Sequence, residues 1–372
     1  MPKVAFLTSG GIAPCLSASI GGLIEKYNEL DPNIQMVGYM HGYRGLLLGK
    51  SVIFSNEVKK NYQVLYGFGG SPIGNSRVKL TNVEDCIKKG FVKEGENPLD
   101  VAAKQLEKDE IDILHTIGGD DTNTMAAALA KHLENSGKSL TVVGLPKTVD
   151  NDVIPVKQTL GAWTAAEQGA RFFQNIVNEN TTSRRQLIIH EVMGRHCGWL
   201  TAGTALEYRK LLDKNEYLPE LFVSKKRWDV HAVYIPEKNI DFKSESVRLR
   251  EIMDENDCVN IFLSEGAGMD TIVREIESRG ESVPRDAFGH VRLDDINPGQ
   301  WFAKQFSEAL DADKTLIQKS GYFARSAKPG SRDLELIKES AFMAAELAIN
   351  GQSGLVGLDE NNSGNLGLID LQ

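Results

Sequence analysis

The chain has 372 residues, of which 41% are apolar and 25% charged, and a formal net charge of −9. That length exceeds one ordinary core and predicts two lobes, while the acidic balance argues against nucleic acid as a partner. No run approaches the roughly 18 apolar residues of a membrane span, the first residues read as a strand rather than a secretion signal, and the four cysteines lack CxxC or metal-ligand spacing, so a reduced, cytoplasmic protein is expected.

Val4–Thr8 reads as a strand, Ser9-Gly-Gly-Ile-Ala-Pro14 as a glycine loop, and Cys15 to Leu30 as a helix. Strand, glycine loop and helix is a generic phosphate-binding opening, because glycine lets backbone N–H groups approach an anion closely. It is neither a Walker loop nor GxGxxG, which speaks against the usual nucleotide motifs and a nicotinamide oxidoreductase. Gly69-Gly-Ser-Pro-Ile-Gly-Asn-Ser-Arg77 is a second glycine-rich loop ending in a cation that can bond two phosphoryl oxygens at once. Residues 81–110, rich in Lys and Glu, read as a helix-containing connection.

The densest stretch is 111–152. Ile111–Ile117 and Leu140–Leu145 have the length and β-branched content of strands buried on both faces. Between them Met125, Ala126, Leu129, Ala130 and Leu133 recur at helical spacing, with Asp121 or Thr122 as N-cap and Gly137 as the stop. Such a crossover makes the strands parallel, so the loops Ile117-Gly-Gly-Asp-Asp-Thr122 and Pro146-Lys-Thr-Val-Asp-Asn-Asp152 open on one sheet edge. Asp120, Asp121, Asp150 and Asp152 then converge and need a cation among them; Lys147 and a hard ion such as Mg²⁺ would supply it. The alternative is that the first pair caps a helix and the second builds an Asx turn.

Leu160–Asn178 reads as a helix near which a second lobe begins. Leu187–Val192 is a strand followed by Met193-Gly-Arg-His-Cys-Gly-Trp-Leu200; residues 208–228 lack a motif and read as a surface or interface insertion. His231–Pro236 and Val259–Leu263 are further strands, the latter ending in Ser264-Glu-Gly-Ala-Gly268. Trp301–Leu310 and Leu334–Ala348 are amphipathic helices expected to return to the first lobe, and Gly354–Gly357 begins a last strand or tail.

The two central loops resemble the signature loops of the phosphofructokinase family, whose ATP-using members read Gly-Gly-Asp-Gly-Ser and Pro-Gly-Thr-Ile-Asp-Asn-Asp. Here Asp121 and Lys147 stand where those members have glycine, the mark of the pyrophosphate-dependent type. The resemblance extends to Gly11, to Arg77, to Glu191-Val-Met-Gly-Arg195, to Glu265 and to His290. It implies an α/β fold of two Rossmann-like lobes with largely parallel sheets and a cleft between them. The expected division is 1–162 with about 292–350 for the donor, and 163–291 with about 351–372 for the sugar phosphate.

The activity so implied is reversible, Mg²⁺-dependent phosphoryl transfer from pyrophosphate to the 1-hydroxyl of fructose 6-phosphate. An ATP-dependent enzyme and a non-catalytic regulatory subunit of the family are the alternatives. The resemblance makes Asp150 the base, Asp120 and Asp152 the metal ligands, and Lys147, Arg77 and the Gly11 N–H the groups that steady the moving phosphoryl. Thr148 would bond the phosphoryl or the sugar; Met193, Gly194, Arg195, Glu265 and His290 would line the sugar phosphate. Arg185, Arg285 and Arg292 each lie one position from the family's 6-phosphate arginines, some of which come from a neighbouring subunit, so a homodimer or homotetramer is expected. Effector-regulated relatives carry arginines on the first helix where this chain has Gly21 and Glu25, which implies no allosteric control.

Overall fold

The computed structural model describes residues 2–284, 291 and 296–370. Its strands in chain order are β1 (Lys3–Thr8), β2 (Gln35–Tyr39), β3 (Ser51–Ile53), β4 (Ile113–Gly118), β5 (Thr141–Pro146), β6 (Gln186–Val192), β7 (Ala232–Tyr234), β8 (Cys258–Ser264), β9 (Lys314–Lys319), β10 (Gly354–Asp359) and β11 (Asn365–Ile369). They form a seven-stranded sheet, β11-β10-β5-β4-β1-β2-β3, and a four-stranded sheet, β7-β8-β6-β9. The second sheet is parallel throughout; the first is parallel except at its two edges, β3 and β11.

Two compact units carry these sheets, Met1–Thr164 with Arg325–Gln372, and Ala165–Ala324. The central strands β1, β4, β6 and β8 are almost wholly buried, which is why their sequences are continuous apolar runs rather than alternating ones. In the first unit, helix Leu16–Leu30 packs on helix Ser331–Ile349. The two approach so closely that a Cβ on Gly22 would lie 2.9 Å from that of Ala341. Asp333, buried in the first turn of the second helix, accepts hydrogen bonds from Gly161 N (3.1 Å), Thr164 N (2.6 Å) and Thr164 Oγ1 (2.5 Å). It thereby satisfies the orphan donors where helix Ala162–Ile176 starts.

The division differs from the sequence expectation at two places. Residues beyond 351 belong to the first unit, since Gly354 and Leu355 of β10 pair with Val143 and Gly144 of β5. Residues up to 324 belong to the second, where helix Pro298–Ala309 buries Phe302 and Phe306 and leads directly into β9 beside β6. The physical reason is the character of β9: a half-exposed edge strand bounded by lysines, Lys314-Thr-Leu-Ile-Gln-Lys319, carries neither alternation nor a buried run. The 208–228 stretch is anchored rather than wholly superficial. Tyr208, Leu212 and Trp228 are buried, while Leu218, Leu221 and Phe222 between them are exposed.

Candidate active site

Register sets the site in the first unit. Thr8 pairs with Ile117 and Gly118 with Pro146, so the loops after β1, β4 and β5 leave the sheet level with one another. The loops after β4 and β5 are each held by a polar side chain. Asn123, buried in the helix Asp120–Asn135, donates from Nδ2 to the carbonyls of Gly118 (3.0 Å) and Gly119 (3.1 Å), and its Oδ1 accepts from Thr116 Oγ1 (2.9 Å). Thr159 Oγ1 donates to Thr148 C=O (2.9 Å) and Thr159 N–H to Asn151 Oδ1 (2.7 Å). Asn151 itself takes the left-handed φ of +54°, which asparagine tolerates better than most residues. Asp120 and Asp121 lie in the helix's first turn behind the N-cap Gly119, which precedes the expected caps Asp121 and Thr122, and there carboxylates complement the helix dipole.

The loop 69–77 is knitted to the first glycine loop. Gly10 N–H donates to Ser76 C=O (2.9 Å), Asn75 Nδ2 to Gly10 C=O (2.7 Å) and Ser9 Oγ to Ser76 C=O (3.0 Å). This brings Arg77 to Gly11, where a Cβ would lie 3.6 Å from Arg77 Nη2. Lys147 reaches the same place from β5, its Nζ donating to Gly11 C=O at 2.7 Å with the residue only 4% exposed. Burial pulls its ammonium below the ordinary lysine value and Arg77 adds to this, while Asp150 and Asp152 hold it up. Asp121 is paired with Lys79 at 2.7 Å, and Thr148 Oγ1 accepts from Asp150 N–H (3.1 Å) while donating to Asp152 (3.3 Å). Asn75, Asn123 and Thr159 escape sequence reading, since a side chain that bonds backbone leaves no spacing pattern, and so does Lys79, whose partner Asp121 is distant in sequence.

In the second unit, the loops after β6 and β8 interlock. Ser264 Oγ (2.5 Å) and Gly266 N–H (3.2 Å) both donate to Gly194 C=O, and Glu265 N–H to Val192 C=O (2.9 Å). A side chain on Gly194, at φ +132°, would meet Cys197 C=O at 2.3 Å, so glycine is required. Met193, Gly194, Arg195 and Glu265 are thus brought together at the C-terminal ends of parallel strands. Glu191, buried beneath them, accepts from Gly299 N–H (3.0 Å) and pairs with Lys319 (2.7 Å). Arg185 is not part of this group. It precedes β6, about seven steps of about 3.3 Å from the strand's other end, thus about 23 Å away. There its guanidinium donates to Asp311 C=O, Leu310 C=O and Asp254. Arg285, His290 and Arg292 lie outside the described residues.

For a divalent ion the donor set has a definite character. Among the described residues no group of three or more His, Cys, Asp and Glu side chains could hold a metal by itself. Mg²⁺ is commonly bound by one or two carboxylates together with substrate phosphates. Asp120, exposed in the first helical turn after β4, and Asp152, exposed on the loop after the adjacent β5, fit that arrangement.

The phosphofructokinase family profile matches residues 3–348. Over 368 residues, 99% of this chain and 90% of the relative, the chain is 59% identical to the pyrophosphate–fructose 6-phosphate 1-phosphotransferase of Methylotuvimicrobium alcaliphilum. It is 55% identical over 370 residues, 100% of this chain and 92% of the relative, to the enzyme of the same name from Propionibacterium freudenreichii. Among solved structures, a pyrophosphate-dependent phosphofructokinase from Marinobacter aquaeolei matches with a TM-score of 0.73 at 20% identity, covering 99% of this chain and 83% of that one, a likeness of fold. With its strand-end loops in these positions and its length matched almost throughout, the chain belongs to the phosphofructokinase family.

Proposed function

We propose that this chain transfers a phosphoryl group reversibly between pyrophosphate and the 1-hydroxyl of fructose 6-phosphate, giving fructose 1,6-bisphosphate and phosphate. The observation that carries the reading is identity of 55% to 60%, over nearly the whole chain, to four relatives of that name. Phosphoryl transfer asks of a protein chiefly positioning, charge neutralisation and a base. Asp150 takes the proton of the 1-hydroxyl as its oxygen bonds to the transferred phosphorus and the bridging oxygen of pyrophosphate departs with phosphate. Lys147, Arg77 and the Gly11 N–H hold the moving group, and Thr148 bonds the phosphoryl or the sugar. Met193, Gly194, Arg195 and Glu265 receive the sugar phosphate. Asp120 and Asp152 would hold Mg²⁺, which would neutralise charge on the phosphate oxygens. Arg185 contacts a sugar phosphate only from a second copy of the chain, consistent with a homo-oligomer working in the cytoplasm.

Donor choice rests on Asp121 and Lys147. Asp121, held in place by Lys79, fills space and sets charge against a nucleotide's α-phosphate, while Lys147 attracts the terminal phosphates that remain. The unmodified protein should therefore turn over pyrophosphate and fructose 6-phosphate in a linked assay, with little turnover on ATP. Asp121→Gly with Lys147→Gly should weaken pyrophosphate turnover and raise the relative use of ATP. Preference of the parent for ATP, or a double variant with full pyrophosphate activity and no gain on ATP, would rule the donor assignment out.

A further inference from the structure

Gly10 is gripped on both sides by consecutive residues of the 69–77 loop: its N–H donates to Ser76 C=O at 2.9 Å and its C=O accepts from Asn75 Nδ2 at 2.7 Å. Its φ of +88° is a conformation glycine adopts freely, so a Gly-Gly peptide here could turn either way without steric objection. A peptide unit is planar and trans, hence its C=O and N–H point in opposite directions. Fixing the Gly10 carbonyl on Asn75 therefore fixes where the Gly11 N–H points, and among the described residues that N–H has no acceptor. Lys147 Nζ holds the next carbonyl, that of Gly11, at 2.7 Å. Both carbonyls flanking the Gly11 N–H are thus drawn onto donors of the protein.

We propose that Asn75 is a positioning residue for phosphoryl transfer, acting through the Gly10–Gly11 peptide to aim the Gly11 N–H at the transferred group. The inference rests on the functional reading above. Without the Asn75 amide the peptide is free to flip, which removes a donor from the moving phosphoryl and replaces it with a carbonyl oxygen that repels it. The Asn75 amide acts through the Gly10 carbonyl on which it is spent. The loss should fall on the step in which charge on the phosphoryl oxygens is redistributed, and losing one such oriented donor lowers kcat by about 10²–10³-fold.

The test is steady-state kinetics of Asn75→Ala in both directions, with thermal melting as a check on folding. We expect kcat to fall about 10²-fold, KM for fructose 6-phosphate to stay within about twofold, and the melting temperature to hold. Asn75→Ser, whose hydroxyl can still donate, should recover part of the loss. Should Asn75→Ala fail to fold, Asn75→Asp, of the same shape but without a donating amide, must show the same fall in kcat. A kcat within about threefold of the parent, a loss confined to KM for fructose 6-phosphate, or a serine variant no better than alanine overturns the proposal. Parent turnover with pyrophosphate is measured first: its failure retracts the functional reading, whereas normal parent turnover beside an inert Asn75→Ala retracts only the positioning role.

Discussion

Asp150 and Lys147 stand three positions apart on one loop, and each carries a different share of the chemistry. Lys147 is buried against glycine backbone, while Asp150 is partly exposed, with its N–H anchored on Thr148. Replacing the base should slow the reaction without loosening the sugar: Asp150→Asn is expected to lower kcat by about 10²–10⁴-fold, with KM for fructose 6-phosphate nearly unchanged. Near-normal turnover, or a loss lying in KM alone, would remove Asp150 from that role. The loops that carry these residues are legible in sequence because glycines, acids and a lysine stand in fixed order after apolar runs. Their supports are not. Asn123 and Thr159 look like any polar residue of a helix or loop, and only the fold shows which carbonyls they hold. Arg185 is another position only the fold can place: the whole of β6 separates it from Gly194.

Among the elements, β1, β4, β5, β6 and β8, buried on both faces, are legible in sequence, and so is the short edge strand β7. Strands β3 and β9 at sheet edges are not, since exposed or half-exposed pairing demands no particular side chains. Helix Leu16–Leu30 bears on regulation. Its Glu25 accepts from Tyr62 Oη (2.9 Å) and from Tyr66 Oη, and pairs with Lys338 (3.2 Å). A Cβ on Gly21 would sit 3.2 Å from both Leu65 and Tyr66 of the turn Tyr62–Gly67. The face on which regulated relatives carry arginines is therefore covered by the chain itself and bears an acid. Rate should follow fructose 6-phosphate hyperbolically and be unmoved by ADP; sigmoidal curves relieved by ADP would refute this.

For the whole molecule, among the described residues each unit encloses one fully buried histidine. Burial pushes His115 down to about 4 and His190 to about 3, so both are neutral when folded. Unfolded, each binds a proton near pH 6.5. Their stabilising contribution is thus complete above about pH 6.5 and declines as pH falls toward the folded values, by on the order of 3 kcal/mol for His115 and about 5 kcal/mol for His190 at the limit. Melting temperature should be level above neutrality and drop between about pH 6.5 and 4.5, with about two protons taken up on unfolding near pH 5.5. Calorimetry in buffers of differing ionisation enthalpy measures that uptake, and a melting temperature level down to pH 5 would contradict it. The first unit is closed by residues after 325, because β10 supplies the neighbour of β5 and helix Ser331–Ile349 covers Leu16–Leu30. During synthesis the middle unit can fold while the ribosome is still at work, but the N-terminal segment that emerged first must wait for the last strands. Until they arrive β5 offers a bare apolar edge, so a nascent chain stalled before Gly354 is the form most exposed to aggregation and most in need of a chaperone.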